Sequence, residues 1–292
     1  MLLPHPSRRA ALGTLAAFGG LALLGGCAGV SPQAVAGDVA QQFQGKTYVL
    51  LGEVHDNADG QKRRRMALVD ALAAGWRPAL AMEQFDRERQ ADIERARRER
   101  PGDAAYLVAQ AGGKGWDWAL YTPVVGLALQ FDLPLLAANL SRDDAQRIVR
   151  GGLGEVFSAS EQRRLGLDRP LPRDLVRAQT AVLDAGHCGR FPEAMLPGML
   201  AAQAARDAVM ADVLRAQAAR GAVLIAGNGH VRRDLGVPRW LGAAAGEIYS
   251  VGYLEDAGPG EAGAYDRVVL VPAQARPDPC RDVAPMPARS AS

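Results

Sequence analysis

The amino-acid sequence predicts an α/β fold, with a mixed, mainly parallel sheet flanked by helices in a single domain. Two observations support this prediction. Four short apolar runs are separated by long stretches of helical periodicity, a spacing typical of parallel strands joined by crossover helices. Near the C-terminus, residues 247–254 and 267–271 read as two further strands, and the Gly-rich segment between them predicts an antiparallel edge hairpin. The four apolar runs are residues 48–51, 79–82, 135–138 and 222–226.

Two of the intervening helices are periodic enough to be oriented. Residues 58–74 carry an apolar face that is expected to pack on the sheet. Residues 197–219 form a longer helix in which Gln203 and Asp207 interrupt the apolar stripe, so both polar side chains are expected to face inward. Because a buried carboxylate needs a partner, Asp207 should either pair with a nearby arginine or line a polar pocket.

The N-terminal segment predicts export and a lipid anchor. Arg8 and Arg9 precede an apolar stretch that ends in Leu-Gly-Gly-Cys at Cys27, the arrangement of a lipobox. The stretch is shorter than the roughly 20 residues that a membrane span needs. Residues 1–26 are therefore predicted to be a lipoprotein signal peptide, and Cys27 is predicted to carry the lipid chains of the mature protein. The arginine pair is compatible with both Sec and Tat export.

The rest of the chain divides into three parts. Residues 27–44 are predicted to be a tether, residues 45–274 one folded domain, and the Pro-rich residues 275–292 a disordered tail. Cys188 and Cys280 are the two cysteines that remain. They would pair in an oxidising periplasm, but the position of Cys280 in the tail favours the interpretation that they do not.

Charge and composition exclude a nucleic-acid-binding protein. The formal net charge is +2 and aromatic residues make up 5% of the chain, so no basic stripe is interleaved with stacking residues. The basic run at residues 62–65 lies on a predicted helix, where such a cluster is usually a solvated face.

Polar residues stand at or just beyond the end of each of the four apolar runs. If the strands are parallel, their carboxyl ends share one edge of the sheet, which is where open α/β sheets bind ligands. The sequence therefore predicts a polar pocket at this edge, to which Gln203 and Asp207 also contribute. The strand-end residues are Glu53, His55, Glu83, Asn139, Asn228 and His230.

The same motifs resemble the ChaN-like haem-binding lipoprotein family, which is related to erythromycin-esterase-like and TraB/Tiki-like proteins. The resemblance keeps the motif order over about residues 48–241, and it departs from the family at Gly60 and Gln61, where members often carry histidines. The motifs are Leu-Gly-Glu-Val-His-Asp-Asn at 51–57, Met-Glu at 82–83, Trp118 to Pro123, His-Cys-Gly at 187–189, Gln203 with Asp207, and Gly-Asn-Gly-His-Val-Arg at 227–232.

The resemblance implies a haem-binding protein of haem or iron uptake, storage or relay. It implies a lipid anchor in the outer membrane, with the domain facing the periplasm or the cell surface. It also implies a haem-dependent homodimer that holds two haems face to face, each iron bound by one tyrosine. A histidine and a lysine of the other subunit contact the propionates, and His187 and Lys114, both in glycine-flanked loops, are the candidates here.

Tyr121 is the candidate iron ligand. It precedes Thr122 and Pro123, a pair typical of a helix start, so it is expected in a loop just outside the helix. Tyr106, Tyr249 and Tyr253 are the other candidates.

An alternative function uses the same strand-end residues for catalysis. Glu53, His55, Glu83 and His230 have the donor types of a metal-dependent hydrolase, and also those of a hydrolase that uses a Glu/His general base. The sequence leaves both open, although a binding or transport protein is the favoured interpretation.

Overall fold

The structure is a computed structural model that describes residues 38–258, 261, 263–278 and 280–281. The predicted signal peptide, Cys27, most of the tether and the end of the tail lie outside these residues. The strands are β1 (Tyr48–Leu51), β2 (Ala79–Asp86), β3 (Leu135–Asn139), β4 (Ala222–Ile225), β5 (Ile248–Leu254) and β6 (Arg267–Leu270). The helices are α1 (Ala58–Ala73), α2 (Gln90–Glu99), α3 (Ala104–Ala111), α4 (Trp118–Gln130), α5 (Arg142–Gly151), α6 (Ala159–Leu165), α7 (Arg173–Gly186), α8 (Leu196–Arg215) and the short α9 (Asn228–Val231).

The six strands form one sheet in the order β3-β2-β4-β1-β5-β6. All the pairings are parallel, and helices cover both faces of the sheet. Leu51 of β1 packs with Leu68 of α1 on one face. The preceding residue, Leu50, packs with Leu214 of α8 on the other face, because successive side chains of a strand point to opposite sides. Burial on both faces explains why these strands are continuous apolar runs in the sequence, and it confirms the predicted α/β class.

The predicted antiparallel edge hairpin is wrong. β6 runs parallel to β5, with Val251 opposite Arg267 and Leu254 opposite Leu270. Parallel neighbours need a connection of about a dozen residues, and residues 255–266 provide one. This connection returns over one face of the sheet, where Tyr265 packs into the same core cluster as Leu50.

Residues at both predicted ends of the domain contact the folded part. Val39, Ala40 and Phe43 are buried, and the Phe43 ring lies 5.5 Å from that of Trp76, so these three side chains pack in the core although they fall within the predicted tether. At the other end, Cys280 forms a disulfide with Cys188, and their Cα atoms lie 5.7 Å apart.

The described part of the tail is also held by ion pairs. The Arg276 guanidinium binds the carboxylates of Asp56 and Glu255. Arg276 and Cys280 are thus held by partners that lie far away in the sequence, and such contacts leave no local signal.

Within residues 38–281, as far as they are described, no helix is long and apolar enough to cross a membrane.

Candidate functional site

The order of the strands determines which polar ends meet. β2, β4 and β1 are neighbours in the sheet, so Glu83 on β2, the segment after β4 and the segment after β1 come together at one edge. Glu83 Oε2 accepts a hydrogen bond of 2.7 Å from the backbone N–H of Gly227. The backbone N–H of Asn228 donates to the carbonyl of Glu53 at 3.0 Å. The predicted convergence at the strand ends therefore exists for these three strands.

Glu53 is the most heavily bonded group of this edge. Its side chain is only 1% exposed, and its two oxygens accept five hydrogen bonds. Burial alone would raise the pKa of Glu53, but the charge of Arg64 and the hydrogen bond with His55 hold it below its usual value. The carboxylate is therefore a fixed negative charge. Its five donors are His55, Gln61, Arg64, Gln84 and Tyr121.

His55 is the half-exposed member of the site. Its Nδ1 lies 2.7 Å from Glu53 Oε1, while 48% of the side chain is exposed. Burial lowers the pKa of His55, but the hydrogen bond to Glu53 and the charge of Glu83 outweigh this and raise it. A methyl group on Gly227 would lie 3.1 Å from Nε2, so the glycine leaves room for the ring. The edge of His55 also meets Trp116, with ring centroids 4.9 Å apart.

His230 lies between two buried carboxylates. Its Nδ1 is 2.6 Å from Asp207 Oδ1 and its Nε2 is 3.5 Å from Glu83 Oε1. Burial opposes the charged imidazole, but the two carboxylates raise the pKa of His230 to about 10. The pKa of Glu83 falls to about 2 because the charge of His230 outweighs the effect of burial. Each ring nitrogen of His230 therefore faces a carboxylate oxygen, which favours the protonated imidazole.

Asp207 therefore pairs with a histidine and not with an arginine. Burial is the largest effect on its carboxyl and raises its pKa, and His230 opposes this shift. The inward position that helical spacing predicts for Asp207 is confirmed, since the residue is 1% exposed.

Three predicted pocket residues lie apart from this cluster. Asn139 binds Asp86 and Arg206 at the end of β3, which β2 separates from β4. Asn228 exchanges hydrogen bonds with the backbone of Tyr253, which ties the turn after β4 to β5. Gln203 is partly buried and makes no hydrogen bond from its side chain within the described part of the chain. None of the three side chains bonds to His55, Glu53 or His230.

Tyr121 does not lie in a loop. The helix α4 begins at Trp118, where Asp117 accepts a hydrogen bond from the N–H of Ala119, so Tyr121 lies in the first turn and Pro123 lies inside the helix. Tyr121 is 1% exposed, and its hydroxyl donates to Glu53 Oε1 at 2.6 Å. Burial and the charge of Glu53 raise its pKa strongly, which opposes formation of a tyrosinate. This surrounding argues against an iron-ligand role.

The other candidate tyrosines offer little more. Tyr249 and Tyr253 are buried on β5, and burial raises the pKa of both. Tyr106 is only partly buried, but its hydroxyl donates to Glu99 at 2.5 Å and Arg100 stacks on its ring. Tyr106 is therefore the one candidate tyrosine near the surface in the described residues.

The two propionate candidates are exposed. Lys114 lies in the loop before α4, two residues from Trp116 and hence near His55. His187 follows α7, and its Nδ1 lies 2.7 Å from the carbonyl of Leu183, which leaves Nε2 on the exposed side. The adjacent Cys188 bonds to Cys280, which is four residues from Arg276 and its partner Asp56.

Sequence reasoning missed three residues that hold Glu53, namely Gln61, Arg64 and Gln84. Gln61 and Arg64 lie at helical spacing on the buried face of α1, together with Leu68. Arg64 is therefore the inward member of a basic run that the sequence suggested was solvated. Gln84 follows Glu83 on β2 and points to the other face of the sheet. The period of the helix was the available signal for Gln61 and Arg64.

Among the described residues no three His, Cys, Asp or Glu side chains are arranged to hold a metal ion. The pair of Glu53 and His55 retains the arrangement of a general base, because one ring nitrogen is held by a carboxylate and the other is unpaired.

The fold and the site define an α/β domain with two histidine–carboxylate pairs at one edge of a parallel sheet. The family model for haem-binding uptake proteins of the Tiki superfamily, ChaN, matches residues 39–241, well over half of the chain. The chain belongs to this family. The matched region begins at residue 39, which agrees with the burial of Val39. Haem is the ligand of the family, which confirms the cofactor predicted from the motifs.

Two solved structures are similar to this chain, and the first of them supports the fold. The ChaN protein of Campylobacter jejuni, described as binding haem cofacially, superposes with a TM-score of 0.64 at 20% identity and covers 79% of this chain and 89% of its own. The erythromycin esterase EreC, solved as a mutant in its open conformation, gives a TM-score of 0.43 at 15% identity, with 82% of this chain and 79% of the other covered. A comparison with curated proteins finds no match.

Proposed function

We propose that this protein binds haem at the cell envelope and takes part in haem uptake, storage or relay. Membership of the haem-binding uptake family is the observation that carries the proposal. The proposal includes a lipid anchor at Cys27 in the outer membrane, with the domain facing the periplasm or the cell surface. It also includes a haem-dependent dimer, for which the cofacial haem of the Campylobacter jejuni protein is the support.

His55 is the residue that fits haem iron best. Its Nε2 has no hydrogen-bond partner in the described part of the chain, and nearly half of the side chain is exposed. Its Nδ1 is held by Glu53, and iron-binding or zinc-binding histidines are oriented by such a carboxylate partner. A histidine is a common axial ligand of haem iron. We therefore assign the axial role to His55 in place of Tyr121.

Two neighbours would complete the binding surface. Trp116 offers an apolar ring beside His55, and Lys114 in the same loop offers an ammonium group to a propionate. Bound haem would supply an iron centre that accepts an axial ligand. His187, which is exposed after α7, is the second candidate for a propionate contact.

A hemin titration of the Cys27→Ser protein tests the proposal. Tyr121→Phe and Tyr106→Phe should bind hemin with wild-type affinity and show the absorption spectrum of iron bound by an axial ligand. His55→Gln should lack that spectrum and bind hemin at least tenfold more weakly. Glutamine keeps a hydrogen bond to Glu53, so the site should remain folded. No hemin binding by the parent protein would overturn the function. An unchanged spectrum in His55→Gln, or its loss in either tyrosine variant, would overturn the ligand assignment.

Dimerisation and lipidation are tested separately. Sedimentation should show a monomer without haem and a dimer with it, since a shared ligand stabilises the assembled state. A monomer at haem saturation would contradict the shared site. Labelled palmitate should enter the wild-type protein but not Cys27→Ala, and equal labelling of the two would contradict the anchor.

The Glu53–His55 pair supports one second candidate, a hydrolase with a Glu/His general base. The observation in its favour is that Glu53 fixes the ring of His55 while Nε2 stays unpaired. Purified protein would then hydrolyse a generic ester such as p-nitrophenyl acetate, and His55→Gln would lose at least a hundredfold in rate. Equal rates for the two proteins would exclude this candidate without affecting the haem titration.

A further inference from the structure

The chain after β6 is attached to the loop that follows β1, which carries His55. We call residues 272–278 and 280 the C-terminal strap. The side chain of Asn57 donates a hydrogen bond of 2.9 Å to the backbone carbonyl of Pro272, the first residue of the strap. The strap therefore contacts the loop two residues after His55.

Arg276 is the main link between the strap and this loop. Its guanidinium donates from Nε and Nη2 to the two carboxylate oxygens of Asp56, at 2.6 and 2.7 Å. It also donates from Nη1 and Nη2 to the two oxygens of Glu255, at 2.6 and 2.8 Å. These hydrogen bonds lower the pKa of Glu255 to about 2 and also lower that of Asp56. Because Asp56 follows His55 directly in the chain, Arg276 restrains the loop beside His55.

Asn57 extends this restraint into α1. It is fully buried, and its Oδ1 accepts a hydrogen bond of 2.8 Å from the N–H of Gly60, which caps the first turn of the helix. Its Nδ2 donates to Glu255 at 2.5 Å as well as to Pro272. One side chain therefore joins the start of α1 to the strap and to a carboxylate that Arg276 holds.

The ion pairs of Arg276 need the strap to be held close to the loop. The side chains of Arg276 and Asp56 are 33% and 60% exposed, and exposed ion pairs are individually weak because they lose side-chain entropy and are screened. The far end of the strap is fixed covalently, since Cys280 bonds to Cys188 in the loop after α7. A segment that is fixed at both ends loses less entropy when Arg276 binds its partners.

The disulfide is accessible to a reductant. Cys280 is exposed and Cys188 is partly exposed. Cys188 also has a φ of 60°, a backbone conformation that residues other than glycine rarely adopt. Exposed and strained disulfides are the ones that are reduced most readily. The covalent end of the strap is therefore open to chemical release.

We propose that the C-terminal strap is a redox-sensitive restraint on the haem site, a form of regulation that rests on the proposed haem function. A thiolate of a dithiol attacks Cys280 Sγ, and a mixed disulfide forms as the Cys188 thiolate leaves. The second thiol of the reductant then releases Cys280, so the protein gains two electrons and two protons while the dithiol becomes a disulfide. The freed strap holds Asp56 less firmly, and the loop that carries His55 becomes more mobile. Binding haem then costs more entropy, which weakens the affinity.

A hemin titration in the Cys27→Ser background tests the redox step without a reductant in the sample. Cys188→Ser/Cys280→Ser, which has no disulfide, should bind hemin about fivefold or more weakly than the oxidised parent, at a temperature where both are folded. Arg276→Gln should lose affinity by a similar factor. Adding Arg276→Gln to the disulfide-free variant should weaken binding no further, because the strap acts as one unit.

Two further variants control for charge and for general destabilisation. Arg276→Lys should recover part of the affinity that Arg276→Gln loses, since an ammonium group can still pair with a carboxylate. Arg267→Gln is the matched control, because Arg267 is at the start of β6, at the opposite end of that strand from the strap, and pairs with Asp38 at 2.8 Å. It should bind hemin with the affinity of the parent protein.

Hydrogen exchange without hemin separates the strap from the haem function. The amides of Gly60 and Gln61 donate to Asn57, and they should exchange about fivefold or more rapidly in Arg276→Gln than in Arg267→Gln. Equal exchange in these two variants would overturn the proposal, as would equal hemin affinity with and without the disulfide or additive losses in the combined variant. If the parent protein binds no hemin, the proposed function and its regulation fail together, while the exchange rates still decide whether the strap holds the loop.

Discussion

Replacing His230 should expose the energetics of the buried charges at the strand ends. His230→Gln removes the cation that lies between Asp207 and Glu83, both of which are almost fully buried. Removing one partner of a buried ion pair costs about 3–5 kcal/mol, because it leaves an uncompensated charge. Against a total stability of about 5–15 kcal/mol, this loss is measurable by chemical denaturation at pH 7.

The pH dependence identifies the cause. The folded pKa of His230 is raised to about 10, so its contribution is fully present below the unfolded pKa of about 6.5 and is lost as the pH rises through about 10. The folded pKa of Glu83 is lowered to about 2, so its contribution is present above about 4.3 and is lost as the pH falls toward 2. Wild-type stability should therefore be greatest between about pH 4.5 and 6.5.

His230→Gln should lose the alkaline decline, so its deficit relative to wild type should shrink between pH 7 and pH 10.5. His187→Gln is the matched control, because His187 is exposed and should keep the wild-type profile. If His230→Gln itself does not fold, adding Asp207→Asn removes one of the two unpaired carboxylates and should recover part of the stability. A deficit in His230→Gln that is the same at pH 7 and pH 10.5 would refute the charged imidazole.

Three further perturbations test the rest of the framework. Arg64→Met should cost about 3–5 kcal/mol of unfolding free energy, because Glu53 stays buried without its cation. Arg63→Met, one residue away and without an ion pair in the described residues, should cost under about 1 kcal/mol. Equal losses in the two variants would contradict the buried pair. Cys280→Ser should lower the unfolding free energy by up to about 4–5 kcal/mol, because the disulfide closes a loop of 92 residues. Dithiothreitol should destabilise the wild-type protein but not the variant. If neither protein responds to the reductant, the bond does not form. Tyr121→Phe should cost about 1–3 kcal/mol by removing a donor to Glu53, and a denaturation midpoint equal to wild type would contradict that hydrogen bond.

Elements buried on both faces were readable from the sequence, whereas long-range connections were not. The runs at β1 and β4 are apolar throughout because neighbours cover both sides of the sheet, so their bounds could be predicted closely. The direction of β6 depends on the path of residues 255–266, which carry no periodicity that distinguishes a hairpin from a crossover. The partners of Arg276 are similarly invisible, because Asp56 lies 220 residues away.

The meeting of the residues after β1, β2 and β4 was predicted from the carboxyl ends of parallel strands. The loop position of Tyr121 was predicted from one local motif and was wrong. Thr122 and Pro123 resemble a helix start, but the capping carboxylate of Asp117 starts α4 several residues earlier and turns Tyr121 inward. Pro123 is the sixth residue of α4, so the helix lacks one intrahelical hydrogen bond at this position.

The strand order supplies the information that chain order lacks. Four polar ends follow one another along the sequence, yet β2 stands between β3 and β4, so Asn139 binds Asp86 and Arg206 and stays away from His55. The three ends that do meet carry two histidines with different surroundings. His230 lies between two carboxylates and keeps its proton, which makes it a structural cation. His55 has a single carboxylate and an exposed edge, so a ligand at this edge meets His55 first.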